Sequence, residues 1–155
     1  MTKKIIVALL MLCVAGSVFA VGIGIQGGTD VANSGTTGID ITFKLDSVPF
    51  VFAVGIPSFD PLAIGLTADY WILNDNLVGP LNWFIGAGLF GQLFIGDDDF
   101  NFTVGARVPV GLNFFFARDM FELYLQVAPG LGANIGNGVE MDFVCPINYG
   151  LRFWF

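Results

Sequence analysis

The chain has 155 residues, of which 55% are hydrophobic and 12% are charged, and its formal net charge is −7. So few charges exclude an ordinary water-exposed surface. The acidic excess argues against nucleic acid as a partner, because phosphate binding requires clusters of Lys and Arg. The sequence also contains no histidine, so it lacks the side chain that most often serves as a general base near neutral pH.

The first twenty residues have the parts of a secretory signal. Lys3 and Lys4 form a charged start, an apolar run extends from Ile5 to Ala15, and Val18-Phe19-Ala20 suits a peptidase that cleaves after Ala20. A membrane anchor is the alternative, but the largely apolar stretch over residues 5–20, roughly sixteen residues, is short for a bilayer that needs about 20. We therefore expect residues 1–20 to be a cleaved signal peptide and residues 21–155 to form one domain.

Beyond residue 20, apolar residues recur at every second position, which is the period of a β-strand. Turn-forming residues separate eight such segments: Val21–Gly28, Gly38–Leu45, Phe50–Ile56, Leu62–Leu73, Leu81–Phe94, Phe100–Phe115, Phe121–Ala133 and Asp142–Phe155. This region contains no apolar stretch of helix-spanning length, and only helices and closed barrels satisfy backbone polar groups in lipid. The prediction is an all-β fold, an eight-stranded antiparallel up-and-down transmembrane β-barrel.

The two faces of the predicted strands differ in chemistry. In the sixth segment every second residue from Phe100 to Phe114 is apolar, whereas the alternate positions include Asn101, Arg107 and Asn113. The charged side chains within strand interiors all fall on the less apolar face; they are Asp40, Lys44, Asp69, Arg107, Glu122 and Arg152. An apolar exterior around a polar interior is typical of a membrane barrel. A soluble lipocalin-type barrel, the alternative, would expose a glycine-rich face as its surface.

The connections between the segments are short. With both ends of the domain on one side, the outer loops would cover about 29–37, 57–61, 95–99 and 134–141, and the inner turns about 46–49, 74–80 and 117–120. Loops of this length offer little surface for gripping a large partner, and we expect a monomer.

The last segment ends in Tyr149-Gly150-Leu151-Arg152-Phe153-Trp154-Phe155, with a large apolar residue at every second position and an aromatic residue last. Eight strands, a signal peptide and a terminal aromatic residue resemble the small outer-membrane barrels of the OmpA, OmpX and OmpW type. The resemblance implies a location in the outer membrane of a Gram-negative bacterium. It also implies that the barrel-assembly machinery, a partner besides the lipid, recognises Tyr149, Leu151, Phe153 and Phe155. It implies no cofactor.

Catalysis is the first functional alternative, because some similar barrels act on lipid A through a catalytic histidine. This chain has none, and Ser34, Ser47 and Ser58 all lie in predicted loops or turns. We therefore predict a non-enzymatic protein with a structural or cell-surface role.

A narrow pore is the second alternative. The lumen of an eight-stranded barrel is just wide enough for side chains to fill it, and the three acidic and three basic inward residues should pair and close it. Inward glycines such as Gly86, Gly105 and Gly150 favour instead a conduit for ions or small solutes. Hydrophobic solutes could leave through gaps between strands, since prolines remove ladder donors at Pro109, Pro129 and Pro146. The preferred interpretation is that these prolines lie at bulges or strand ends and only shape the barrel.

The run Asp97-Asp98-Asp99 is the one cluster of charge in the sequence. Carboxylates attract Ca²⁺ or Mg²⁺, so the run is a weak candidate for a metal site. Three consecutive aspartates lack the spacing of a calcium loop, and we interpret them as a solvated loop tip.

Overall fold

A computed structural model describes residues 20–32, 36–60, 62–95, 100–136 and 138–155. The signal peptide expected at the start of the chain and the acidic run Asp97-Asp98-Asp99 lie outside these described residues. Regular secondary structure in the described part is entirely β. No helix there is long and apolar enough to cross a membrane.

The strands are β1 (Val21–Asp30), β2 (Thr36–Leu45), β3 (Phe50–Phe59), β4 (Leu62–Val78), β5 (Leu81–Ile95), β6 (Phe100–Arg107), β7 (Val110–Phe116), β8 (Phe121–Val127), β9 (Gly130–Ile135), β10 (Val139–Val144) and β11 (Pro146–Trp154). Strands β6 and β7 are two halves of one pass along the wall, as are β8 and β9, and β10 and β11. The wall therefore has eight passes, each antiparallel to its neighbours. Because β1 pairs with both β2 and β11, the sheet closes. The predicted closed eight-stranded antiparallel barrel is confirmed.

A proline lies in or directly after each of the three interruptions: Pro109 and Pro129 lie within the first two, and Pro146 follows the third, at Cys145. The carbonyl oxygens of these prolines still accept hydrogen bonds from the neighbouring pass, at 2.8 Å from Gly86 N, 2.9 Å from Val108 N and 2.9 Å from Ala128 N respectively. The pairing register is the same on both sides of each interruption. Each proline thus removes one donor without inserting a residue. Of the two positions expected for these prolines, bulges or strand ends, the structure shows strand ends.

The predicted phase of the strands is confirmed along the sixth pass. Val104 and Leu112 are exposed on the outside of the wall, whereas Thr103, Arg107 and Asn113 are buried inside. The exterior is lined with exposed Ile, Leu, Val and Phe side chains on all eight passes. The lumen of an eight-stranded barrel holds only the inward-facing side chains, and in this barrel those include the polar residues.

We call the end of the barrel that holds Val21 and Phe155 the terminal end, and the opposite end the loop end. Outward rings form a contiguous band at the terminal end across the last three passes. Neighbouring ring centroids along this band are 5.3 to 6.2 Å apart; the rings are Phe114, Phe116, Phe121, Phe153 and Phe155. Phe50, Phe52 and Tyr70 form a second group on the third and fourth passes.

Strand β4 extends further than the sequence indicated. It runs to Val78, so the turn shrinks from the predicted 74–80 to Gly79-Pro80, where Gly79 has a φ of 56°. The polar run at residues 74–76 pairs with β5 instead of turning, and Asn76 Nδ2 donates to Asn82 Oδ1 at 3.0 Å. Because β3 reaches only Tyr70 in its pairing with β4, the β4–β5 hairpin projects beyond its neighbour at the terminal end.

Candidate functional site

The terminal half of the lumen is built around a carboxylate that is fully buried. Glu122 Oε1 lies 3.5 Å from Lys44 Nζ and accepts a hydrogen bond of 2.9 Å from Asn113 Nδ2. Glu122 Oε2 lies 3.2 Å from Arg152 Nη1 and accepts a hydrogen bond of 3.0 Å from Trp154 Nε1. Each oxygen thus has one cation and one neutral donor, which is how a buried charge avoids a large desolvation penalty. We call these five residues the Glu122 cluster.

Glycines on β1 bring the members of the cluster together. Lys44 is on β2 and Arg152 and Trp154 are on β11, so β1 runs between them. A Cβ atom at Gly22 would lie 2.8 Å from the Trp154 ring, and one at Gly24 would lie 2.7 Å from Arg152 Cγ. The two β11 side chains therefore extend over β1 only because β1 has no side chains at these positions.

Aromatic rings fill the remaining space of the terminal half. Trp71 and Phe84 stack with their centroids 3.7 Å apart, and Lys44 Nζ lies 3.8 Å above the Trp71 ring. The Tyr124 ring lies against Gly150, where a Cβ atom would collide with it. In this half, neighbouring rings therefore occupy the space that such inward glycines leave.

A second ion pair lies at mid-height. Arg107 contacts Asp69 through two parallel hydrogen bonds, Nε to Oδ1 at 2.8 Å and Nη2 to Oδ2 at 2.6 Å, and both side chains are buried. The two residues are on β6 and β4, with Gly88 of β5 between them in the same row. This fork geometry makes an Arg–carboxylate pair strong and directional.

The sixth predicted lumen charge, Asp40, has a different partner. Its Oδ2 accepts a hydrogen bond from Gln26 Nε2 at 2.8 Å, and Gln26 Oε1 accepts one from Tyr124 Oη at 2.9 Å. All six predicted charges face the lumen, and five of them lie in ion pairs. Gln26 and Tyr124 were not predicted as part of this network, although both fall on its face of the alternating pattern.

The loop-end half of the lumen contains a cavity of about 280 Å³. Its lining includes Gln26, Asp40, Thr67 and Phe94, together with Ser58. Ser58 was predicted to lie in a loop, and this expectation is wrong. Strand β3 continues to Phe59 through an irregularity after Gly55, which turns Ser58 inward, and the residue is only 4% exposed.

The predicted assembly-signal residues all face outward on the closing pass. Tyr149, Leu151, Phe153 and Phe155 are exposed by 62%, 37%, 39% and 59%. The described part of the chain contains no cluster of three metal-ligating side chains, and the weak metal candidate Asp97-Asp98-Asp99 lies outside it.

Fold and lumen together define the class of the protein, a small antiparallel β-barrel with an apolar exterior and a polar, ion-paired interior. No protein-family model, no curated protein and no solved structure matches the chain.

Proposed function

We propose that this chain is a non-enzymatic β-barrel of the bacterial outer membrane, with a structural or cell-surface role and a lumen closed by inward charged residues. The observation that carries the proposal is the inversion of the usual pattern. Large apolar side chains cover the exterior, whereas Lys44, Asp69, Arg107, Glu122 and Arg152 are buried inside.

Exposing the apolar exterior to water would be unfavourable in free energy. Transferring one Val, Leu, Ile or Phe side chain out of water gains about 1.5–3 kcal/mol. Water-soluble monomers rarely expose continuous apolar patches larger than several hundred Å². The apolar surface here continues around all eight passes, so a lipid bilayer is the environment that suits it. A pairing surface for one partner would cover only one side.

The aromatic band at the terminal end supports the same proposal. Aromatic rings concentrate at both membrane–water interfaces of transmembrane barrels, and Phe116, Phe121, Phe153 and Phe155 lie together at one end of the wall. The outward alternation of β11 supports the barrel-assembly machinery as a partner. Its test is whether Phe155→Ala lowers the amount of assembled barrel in cells while refolding in detergent is unchanged.

The filled terminal half of the lumen supports a closed barrel in preference to a conduit. Phe84 and Glu122 are fully buried, and Arg152 is 1% exposed. A narrow conduit remains the second candidate because of the cavity at the loop end. A reaction is not proposed, because five of the six inward charges lie in ion pairs and the sequence has no histidine.

Tryptophan fluorescence tests the membrane proposal. Trp83 pairs with outward Leu112 and faces the exterior, whereas Trp71 is 3% exposed inside the lumen. In vesicles of brominated lipid, a variant that retains only Trp83 (Trp71→Phe, Trp154→Phe) should be strongly quenched. The matched variant that retains only Trp71 (Trp83→Phe, Trp154→Phe) should not.

Heat-modifiable gel mobility checks that both variants are folded barrels. Equal quenching of the two tryptophans, or a folded protein that remains in water without lipid or detergent, would contradict the membrane location.

A further inference from the structure

We propose that the loop-end cavity binds a small organic cation that carries both a quaternary ammonium group and a hydroxyl group. This inference goes beyond the proposed structural role and does not depend on it, because binding to the cavity can be measured in detergent.

The first argument is charge. Asp40 and Asp142 line the cavity. Arg107 lines it too, but its charge is offset by the bidentate contact with Asp69. Asp30 also contributes to the lining, and its Oδ1 accepts hydrogen bonds from the backbone nitrogens of Ala32 and Cys145. The cavity is therefore a negative concave surface with low-dielectric walls, which concentrates cations.

The second argument is the presence of two separate hydroxyl groups without hydrogen-bond partners. Ser58 Oγ and Thr67 Oγ1 are buried without a hydrogen-bond partner among the described residues, and both residues line the cavity. A buried hydroxyl without a partner costs about 1–3 kcal/mol. A ligand hydroxyl group in the cavity would supply the missing partner of one of them.

The third argument is aromatic lining. Phe90 and Phe94 both contribute to the cavity wall. The Phe90 ring also packs against Gly105 and Gly132, where a Cβ atom would collide with it. Quaternary ammonium groups bind to aromatic faces through cation–π attraction, with carboxylates supplying the opposite charge. The described residues contain no cluster suited to a metal ion, so an organic cation fits the lining better.

Size and position limit the ligand. A cavity of about 280 Å³ lies just below the range of about 300–1,000 Å³ typical of small-molecule sites, so only a compact molecule fits. The Glu122 cluster and the Trp71–Phe84 stack fill the lumen on the terminal side of the cavity. A ligand would therefore enter and leave the cavity through the loop end of the barrel.

Calorimetry on the refolded barrel in detergent tests the proposal with choline and its uncharged carbon isostere, 3,3-dimethylbutan-1-ol. Ionic strength is held constant with NaCl. We expect saturable millimolar binding of choline and at least about tenfold weaker binding of the isostere, because only choline gains from the carboxylates and rings.

Variants locate the site. Asp40→Asn should weaken choline binding about tenfold through the lost charge, and Phe94→Leu should weaken it severalfold through the lost ring. Asp75→Asn is the matched control, since it removes one acidic charge from the exposed hairpin at the other end. Heat-modifiable mobility confirms that each variant is folded.

Three results would overturn the proposal. They are no saturable heat from choline throughout the millimolar range, equal affinity for choline and its isostere, or equal weakening by Asp40→Asn and Asp75→Asn. The tryptophan quenching experiment tests the membrane proposal separately, so failure of the cation-binding proposal does not imply failure of the membrane proposal.

Discussion

At the scale of single residues, three inward glycines each lie between two polar side chains that bond to each other across the glycine. In each row the glycine is on the middle pass, and the two partners are on the flanking passes. The rows are Asp69–Gly88–Arg107, Gln26–Gly150–Tyr124 and Thr42–Gly24–Arg152. A missing side chain here permits a polar contact over two strand spacings.

Gly88→Ala should therefore be strongly destabilising. Its Cβ would collide with Asp69 Oδ1 and separate the carboxylate from Arg107, and breaking a buried ion pair costs about 3–5 kcal/mol. Unfolding in urea, with the barrel in detergent, measures the loss. Gly138→Ala is the control, because a Cβ there has no atom within 4 Å. Equal stability of the two variants would show that the Asp69–Arg107 contact does not require Gly88.

The sequence predicted the direction of these residues but not their partners. Alternation alone put Asp40, Glu122 and Arg152 on the inner face, since successive side chains of a strand point to opposite faces of the sheet. Which charges meet depends on the register between passes and on where the glycines fall in each row. That information lies in the pairing of distant strands, so a local pattern cannot supply it.

At the scale of elements, the β4–β5 hairpin shows how local turn signals can mislead. Asn74-Asp75-Asn76 are typical turn residues, yet they continue β4. They are exposed and pair with β5, and the Asn76 side chain bonds to Asn82 across the hairpin. The prolines were expected at bulges or strand ends. They lie at strand ends, and the register continues unchanged past Pro109 and Pro129.

The hairpin tip should accept an inserted epitope. Gly79 has open space around it, and exposed tips tolerate insertion. A short epitope between Gly79 and Pro80 should change the unfolding free energy by less than about 0.5 kcal/mol. The same epitope placed after Arg118 should be harmful, because Ala117, Arg118 and Asp119 form a tight left-handed turn with φ values of 53°, 60° and 63°. Urea unfolding compares the two, and similar losses would contradict the difference between them.

At the scale of the whole molecule, composition and periodicity were sufficient to predict the closed eight-stranded barrel. A chain this apolar with polar residues at alternate positions has few other ways to satisfy its backbone. Whether the lumen is open or filled was harder to predict, because inward glycines such as Gly111 and Gly150 suggest open space in the sequence. In the structure the Phe84 and Tyr124 rings cover them, and only the three-dimensional neighbours reveal this.

The filled lumen predicts electrical silence. The refolded protein in planar bilayers should give no unitary conductance steps, because the Glu122 cluster and the Trp71–Phe84 stack occupy its terminal half. Arg107→Ala should also remain silent, since it leaves that half unchanged. Reproducible steps from the pure wild-type protein, or steps that appear in Arg107→Ala, would favour the narrow conduit instead.

The pairing of β1 with β11 also has a consequence for folding kinetics. Val21 N donates to Phe155 O at 3.1 Å, and Phe155 N donates to Val21 O at 3.3 Å, so the contact that completes the ring joins residues far apart in the sequence. Hairpins such as β1–β2 can form locally, but ring closure carries the full entropic cost of a long loop. Until it occurs, both terminal strands present unpaired edges that favour aggregation. The slow step in folding should therefore be the pairing of β1 with β11.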